Sequence, residues 1–117
     1  MLSRLLGFLR PKPALIKGTG KLPDGEAKVV SLGDPMAGGT EVVLCRKGGK
    51  IYALDRVCPH NEGGFIVGGP LIEGKFALCP LHNYKFDVET GTADGAPCPA
   101  AKVYRTREKD GDTEVWI

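Results

Sequence analysis

Short β-prone runs separated by turn residues set the main limit on how this chain folds. From about residue 26 onward, these runs alternate with glycine and proline, which together supply 26 of the 117 residues. Segments 47–49 and 109–112 are typical of hairpin turns, because glycine readily adopts the positive φ that tight turns need. No stretch past residue 20 has a helix-length 3.6-residue period, so we expect an all-β domain of antiparallel sheets. The predicted strands cover residues 27–32, 41–46, 50–54, 76–78, 84–88, 102–106 and 113–117.

Length and charge exclude several classes of protein. A chain of 117 residues is long enough for one domain with one site. No apolar run approaches the roughly 20 residues of a membrane-spanning helix. Residues 1–21 hold five basic residues and no acidic one, which leaves eleven basic and fourteen acidic residues in the rest. Because phosphate contacts need a clustered cationic face, the net negative body argues against nucleic-acid binding.

The N-terminal segment differs from the rest of the chain. Its leucines are spaced as one stripe of a short amphipathic helix, which Pro11 and Pro13 would end. Such a helix is too short to be stable alone, so we expect its stripe to be covered by a partner subunit, a membrane surface or its own domain. Residues 1–25 therefore form a basic amphipathic segment with an extended lead-in, and 26–117 form the globular domain. We expect a cytoplasmic protein, or one peripheral to a membrane or complex. The stripe consists of Leu2, Leu5, Leu6 and Leu9.

Both histidines of the chain lie beside cysteines in proline-containing turns. The two motifs are Cys58-Pro59-His60 and Cys79-Pro80-Leu81-His82. Each turn offers one thiolate and one imidazole, and two such turns side by side would supply two sulfurs and two nitrogens to a metal centre. A buried core role does not explain why each histidine is paired with a cysteine. A Cys₂His₂ zinc finger groups its cysteines separately from its histidines, and a disulfide framework normally has more cysteines for this length.

This pattern resembles the Rieske iron–sulfur domain over roughly residues 27–117. The resemblance implies one [2Fe–2S] cluster per chain, with Cys58 and Cys79 on the inner iron and His60 and His82 on the outer iron. It also implies antiparallel sheets with a small inserted cluster-binding subdomain at about 57–86. Residues 95–99 match the proline-bearing loop that covers the cluster in this family.

Departures from the high-potential Rieske pattern indicate a low-potential, disulfide-free type. Gly63 and Leu81 occupy the positions of the extra cysteines that form a disulfide in respiratory and photosynthetic complexes. Tyr84 and Phe86 replace a serine and a tyrosine whose hydroxyl groups donate to sulfur there. Since hydrogen bonds to sulfur favour the reduced cluster, we expect a potential near the low end of the range, about −150 mV.

The remaining cysteines are not expected to be ligands. Cys45 lies in an apolar strand and is interpreted as a small buried hydrophobe. Cys98 lies between two prolines in the covering loop, where we expect it to pack against the cluster subdomain.

The resemblance implies an electron carrier rather than an enzyme, because four protein ligands leave no open position for a substrate. We expect a ferredoxin that takes one electron from a flavoprotein reductase and passes it to a terminal oxygenase or reductase. The alternative is a fixed small subunit of a larger redox enzyme. The segment from Cys79 to Asp87 and the following Glu89-Thr90-Gly91 are also similar to the small subunit of assimilatory nitrite reductase.

Overall fold

The computed structural model describes residues 13–33, 39–59 and 63–117, and these form nine β-strands and one short 3-10 helix. The all-β prediction is confirmed, and the seven predicted strands are present with ends that differ by at most three residues. Two very short strands, β1 and β5, were not predicted. The strands are β1 (Ala14–Ile16), β2 (Glu26–Leu32), β3 (Thr40–Lys47), β4 (Lys50–Asp55), β5 (Gly69–Pro70), β6 (Phe76–Cys79), β7 (Tyr84–Asp87), β8 (Val103–Lys109) and β9 (Asp112–Trp116), and the 3-10 helix covers Thr19–Lys21.

Each of these strands pairs antiparallel with at least one neighbour. Seven of them form one sheet in the order β1-β9-β8-β4-β3-β2-β5, and β6 and β7 form a separate hairpin. The hairpin follows β4 and precedes β8 along the chain, so it lies in the segment for which an inserted metal-binding unit is predicted.

The strand β3 contributes to two separate cores. Val43 and Cys45 belong to the core that contains the hairpin, whereas Val42 and Leu44 belong to a second core with β1 and β9. Successive side chains of a strand point to opposite faces, which explains this division. All four residues are buried, so β3 is covered on both faces.

The sheet begins earlier in the chain than the strand pattern indicated. Residues 14–16, assigned to an extended lead-in, pair with β9 through Ala14 opposite Val115 and Ile16 opposite Thr113. A three-residue strand has too little sequence pattern to be recognised, and it is stabilised by pairing with a distant strand. The predicted amphipathic helix at the N-terminus lies outside the described residues.

Hydrogen bonds from Arg46 on β3 hold the segment of residues 19–22 against the sheet. Its guanidinium donates to the carbonyls of Leu22 (2.6 Å) and Thr19 (2.9 Å) and pairs with Glu108 (3.1 Å). A buried hydrogen bond of 2.8 Å joins the hydroxyls of Thr19 and Thr113 on β9. The turn that carries the 3-10 helix is therefore held in place by several hydrogen bonds. Across the described ranges, no helix has the length and apolar character required to cross a bilayer.

Candidate metal centre

Cys58 lies in a loop that leaves β4 and returns beside it. Val57 and Phe65 pair as an antiparallel bridge, and the Cys58 N–H donates to the Gly64 carbonyl at 3.0 Å. Gly63 has a φ of 80°, a left-handed conformation that glycine adopts without the strain of a Cβ atom. This closed loop turns the Cys58 side chain inward, where the residue is only 1% exposed.

Cys79 lies at the end of β6, at the base of the hairpin loop. It pairs with Tyr84, the first residue of β7, and residues 80–83 connect the two strands. Asn83 has a φ of 57°, and asparagine tolerates this left-handed conformation better than most side chains. Cys79 is fully buried.

The two cysteine loops share one core. The Val67 N–H, which follows the first loop, donates to the carbonyl of Leu78 at 2.9 Å, directly before Cys79. Cys58 and Cys79 belong to the same buried cluster as Ile66 and Phe86. The structure therefore brings together the two predicted sulfur ligands, which are far apart in sequence.

The structure describes only one of the two predicted nitrogen ligands. His82 is exposed on the hairpin loop, and its ring centroid lies 5.9 Å from that of Tyr84. His60 lies outside the described residues. Among the residues that are described, no group of three or more His, Cys, Asp and Glu side chains is arranged to hold a metal ion. Two buried thiols with an imidazole at the surface nevertheless match the donor set expected of an inner iron held by sulfur and an outer iron held by nitrogen.

The proline-bearing loop is clamped at both ends. Ala93 pairs with Phe86, and the Asp94 N–H donates to the Lys85 carbonyl at 2.8 Å. At the other end, the Ala101 N–H donates to the carbonyl of Gly91 at 2.7 Å. Residues 95–99 are thereby fixed beside the hairpin that carries Cys79.

The other two cysteines have the environments expected of non-ligands. Burial raises the pKa of the Cys45 thiol to about 12, so it stays neutral at physiological pH. Cys98 packs against the core that contains the predicted sulfur ligands, as expected. Its pKa is raised, first by burial and then by the charge of Cys79. All four cysteines are described, and none forms a disulfide.

The two loops carry exposed apolar side chains, an apolar rim that the strand and motif patterns did not predict. Val57 is 55% exposed, and Phe65 and Leu81 are each 48% exposed. The described residues of the two loops, 57–59, 63–65 and 80–83, include no Asp, Glu, Lys or Arg. The rim could have been predicted from the large apolar residues in these turn-rich loops, because short loops offer little to bury such side chains.

Comparison with known proteins gives consistent results. The model of the Rieske [2Fe-2S] domain matches residues 14–107. The ferredoxin component of the naphthalene 1,2-dioxygenase system of Pseudomonas aeruginosa is 36% identical over 77 residues, which cover 66% of this chain and 67% of the relative. The corresponding component from Pseudomonas putida is 42% identical over 59 residues, which cover 50% of this chain and 55% of the relative.

Solved structures share the same fold. The ferredoxin of carbazole 1,9a-dioxygenase from Nocardioides aromaticivorans IC177 has a TM-score of 0.74 and 25% identity, with 90% of this chain and 97% of the ferredoxin covered. A protein described as an NADH-dependent nitrite reductase small subunit from Mycobacterium tuberculosis has a TM-score of 0.65 and 21% identity, with 90% and 94% covered. The family model covers most of the globular part, and the solved ferredoxin has the same fold over nearly all of its length. The chain belongs to the Rieske [2Fe-2S] domain family.

Proposed function

We propose that this protein is a ferredoxin, a one-electron carrier rather than an enzyme. Its cofactor is one [2Fe–2S] cluster, the group that defines the family, and the cluster supplies one-electron oxidation and reduction when bound. In this proposal, Cys58 and Cys79 hold the inner iron, and His60 and His82 hold the outer iron. The observation that carries the proposal is the pair of buried thiols on two neighbouring loops, one of which also carries the exposed imidazole of His82.

The protein side chains around this site exclude water on one side and leave the other side open. Cys58, Cys79 and Phe86 are essentially inaccessible, so solvent does not reach the sulfur side. His82 is at the surface, which gives a short route between the site and a partner protein. With all four ligand positions taken by side chains, a substrate has no position to occupy.

The exposed apolar side chains of Val57, Phe65 and Leu81 suit a partner that binds briefly. Apolar residues at the centre of a contact allow close approach in a small transient interface. We propose a flavoprotein reductase as the electron donor and a terminal oxygenase or reductase as the acceptor. The names of the curated relatives, which are ferredoxin components of oxygenase systems, support an oxygenase as the acceptor.

The experiment that tests the assignment is EPR spectroscopy and redox titration of the reduced full-length protein, alongside His60→Cys and His82→Ala. The wild type should give a spectrum of mixed cysteine and histidine ligation. His60→Cys should shift the spectrum toward the all-cysteine type, and His82→Ala should lose the native spectrum. Bound zinc without iron, or an all-cysteine spectrum in the wild type, would reject the proposal.

The leucine stripe of residues 2–9 favours a second candidate, a fixed small subunit of a larger redox enzyme in the cytoplasm. A freely diffusing carrier has little use for an apolar docking segment. Deleting residues 1–12 and comparing the proteins that co-purify tests this alternative. A stoichiometric redox-enzyme partner that is lost on deletion would favour the subunit over the free carrier.

A further inference from the structure

A groove of about 220 Å³ opens on the face of the sheet opposite to the buried thiols. Ile16, Val30 and Leu44 line its floor, and they belong to the second core or pack against it. Leu44 and Cys45 are neighbours on β3, so their side chains point to opposite faces of the sheet. The groove is therefore separate from the metal centre, and the electron-carrier role does not use it.

Three lysines line the same groove: Lys17, Lys21 and Lys28. All three are exposed to solvent. Asp112 on β9 lies 3.5 Å from Lys17, but an ion pair at the surface is strongly screened and leaves the lysine available to other anions. An apolar floor with a cationic rim has the chemistry that fits an anionic amphiphile.

The walls of this groove are already formed in the structure. The hydrogen bonds from Arg46 and between Thr19 and Thr113 hold the turn that carries Lys21 against the sheet. Lys28 lies on β2 and pairs with Leu44 of β3. The three ammonium groups are thus carried by backbone that is already fixed.

The basic character continues into the preceding segment of the chain. Residues 1–16 contain three further basic residues, Arg4, Arg10 and Lys12, and no acidic one, and the leucine stripe lies within them. This segment joins the fold at Pro13, directly before β1, and Ile16 at the end of β1 lines the groove. The leucine stripe and these basic residues therefore come directly before the strand that lines the groove.

We propose that this face binds the surface of an anionic phospholipid bilayer. Exposed lysines on this face are attracted to anionic headgroups, and each basic residue near the surface adds to the binding. A membrane is favoured over an acidic protein because the leucine spacing in a segment free of acidic residues is typical of interfacial binding. The cysteine loops belong to the opposite core, so a membrane-bound molecule keeps them free for its redox partners.

The test is flotation of the full-length, cluster-loaded protein with vesicles. One set contains phosphatidylcholine alone, and the other contains equal parts of phosphatidylcholine and phosphatidylglycerol. The groove variant combines Lys17→Glu, Lys21→Glu and Lys28→Glu. The matched control combines Lys50→Glu, Lys75→Glu and Lys109→Glu, three exposed lysines outside the groove, and has the same change in net charge.

The wild type and the control should float with the anionic vesicles, whereas the groove variant should bind them about tenfold or more weakly. The visible spectrum of the cluster serves as the check that each variant is folded. Three results would overturn the proposal: no flotation of the wild type, equal flotation with neutral vesicles, or equal binding by the groove and control variants. Failure here would leave the EPR result unaffected, so the membrane proposal and the electron-carrier proposal can fail separately.

Discussion

The ring of Tyr84 lies beside that of His82, with centroids 5.9 Å apart and planes inclined by 45°. Tyr84 also pairs with Cys79 across the hairpin, so one residue adjoins two of the proposed ligands. Its ring restricts the space available to the imidazole.

Replacing Tyr84 should therefore affect how firmly the cluster is held. Tyr84→Ala removes the ring beside His82, and we expect a chelator to extract iron several-fold faster from this variant. Tyr84→Phe keeps the ring, so its rate should be closer to that of the wild type than to that of Tyr84→Ala. Absorbance in the visible range during exposure to the chelator measures both rates. Equal rates for all three proteins would show that the ring has no role in retention.

The four cysteines should divide into two groups. Cys58→Ala and Cys79→Ala should each abolish iron binding, because each removes a proposed sulfur ligand. Cys45→Ala should keep the iron and lose about 1 kcal/mol of stability, the cost of deleting one buried methylene-sized group. Iron analysis with denaturant unfolding separates these outcomes. Loss of iron from Cys45→Ala alone would contradict the ligand assignment.

Gly91 controls the position of the proline-bearing loop. A Cβ atom at this position would overlap the carbonyl oxygen of Ala101, and the φ of Gly91 is +78°. We expect Gly91→Ala to destabilise the protein by more than about 2 kcal/mol, because the backbone of Ala101 would have to move.

Gly95 provides the matched control in the same loop. Its φ is +66°, but nothing lies within 4 Å of an added Cβ atom. Gly95→Ala should therefore cost only the left-handed conformation, about 1 kcal/mol. Unfolding curves of the two variants give the comparison, and equal losses would mean that contact with Ala101 is unimportant.

Tyr104 should make stability depend on alkaline pH. Burial raises its pKa to about 12, with a further contribution from the charge of Asp55, which accepts a hydrogen bond from the phenol at 3.2 Å. The folded state thus holds this proton more tightly than the unfolded state, whose tyrosine has a pKa near 10. The contribution of protonated Tyr104 to the free energy of unfolding is complete below pH 10 and is lost as the pH rises toward 12.

Tyr104→Phe removes this titration. The difference in unfolding free energy between the wild type and the variant should shrink between pH 10 and 12, since the variant has no phenol to ionise. Cys45, whose pKa is also about 12, contributes to both proteins and cancels in the difference. A difference that stays constant across this range would mean that the Tyr104 proton is not held more tightly by the fold.

The strand pattern was predictable because each of the longer strands is a β-prone run that is followed by glycine or another turn residue. The strands β1 and β5 have three and two residues, too few to show a period, and they form only through pairing with distant strands. The paired Cys/His motifs identified the candidate ligands because chemistry of this kind is local in sequence. The apolar rim and the lysine groove depend on which segments meet in space, and no short sequence window contains that information.

The division of side chains along β3 restricts how this fold can change. Its register places Val43 and Cys45 behind the metal centre and Val42 and Leu44 behind the groove. Insertion or deletion of a single residue in β3 would exchange these two sets and damage both faces at once. Mutations that alter one face of the sheet and leave the other intact must therefore be substitutions in β3 rather than insertions or deletions.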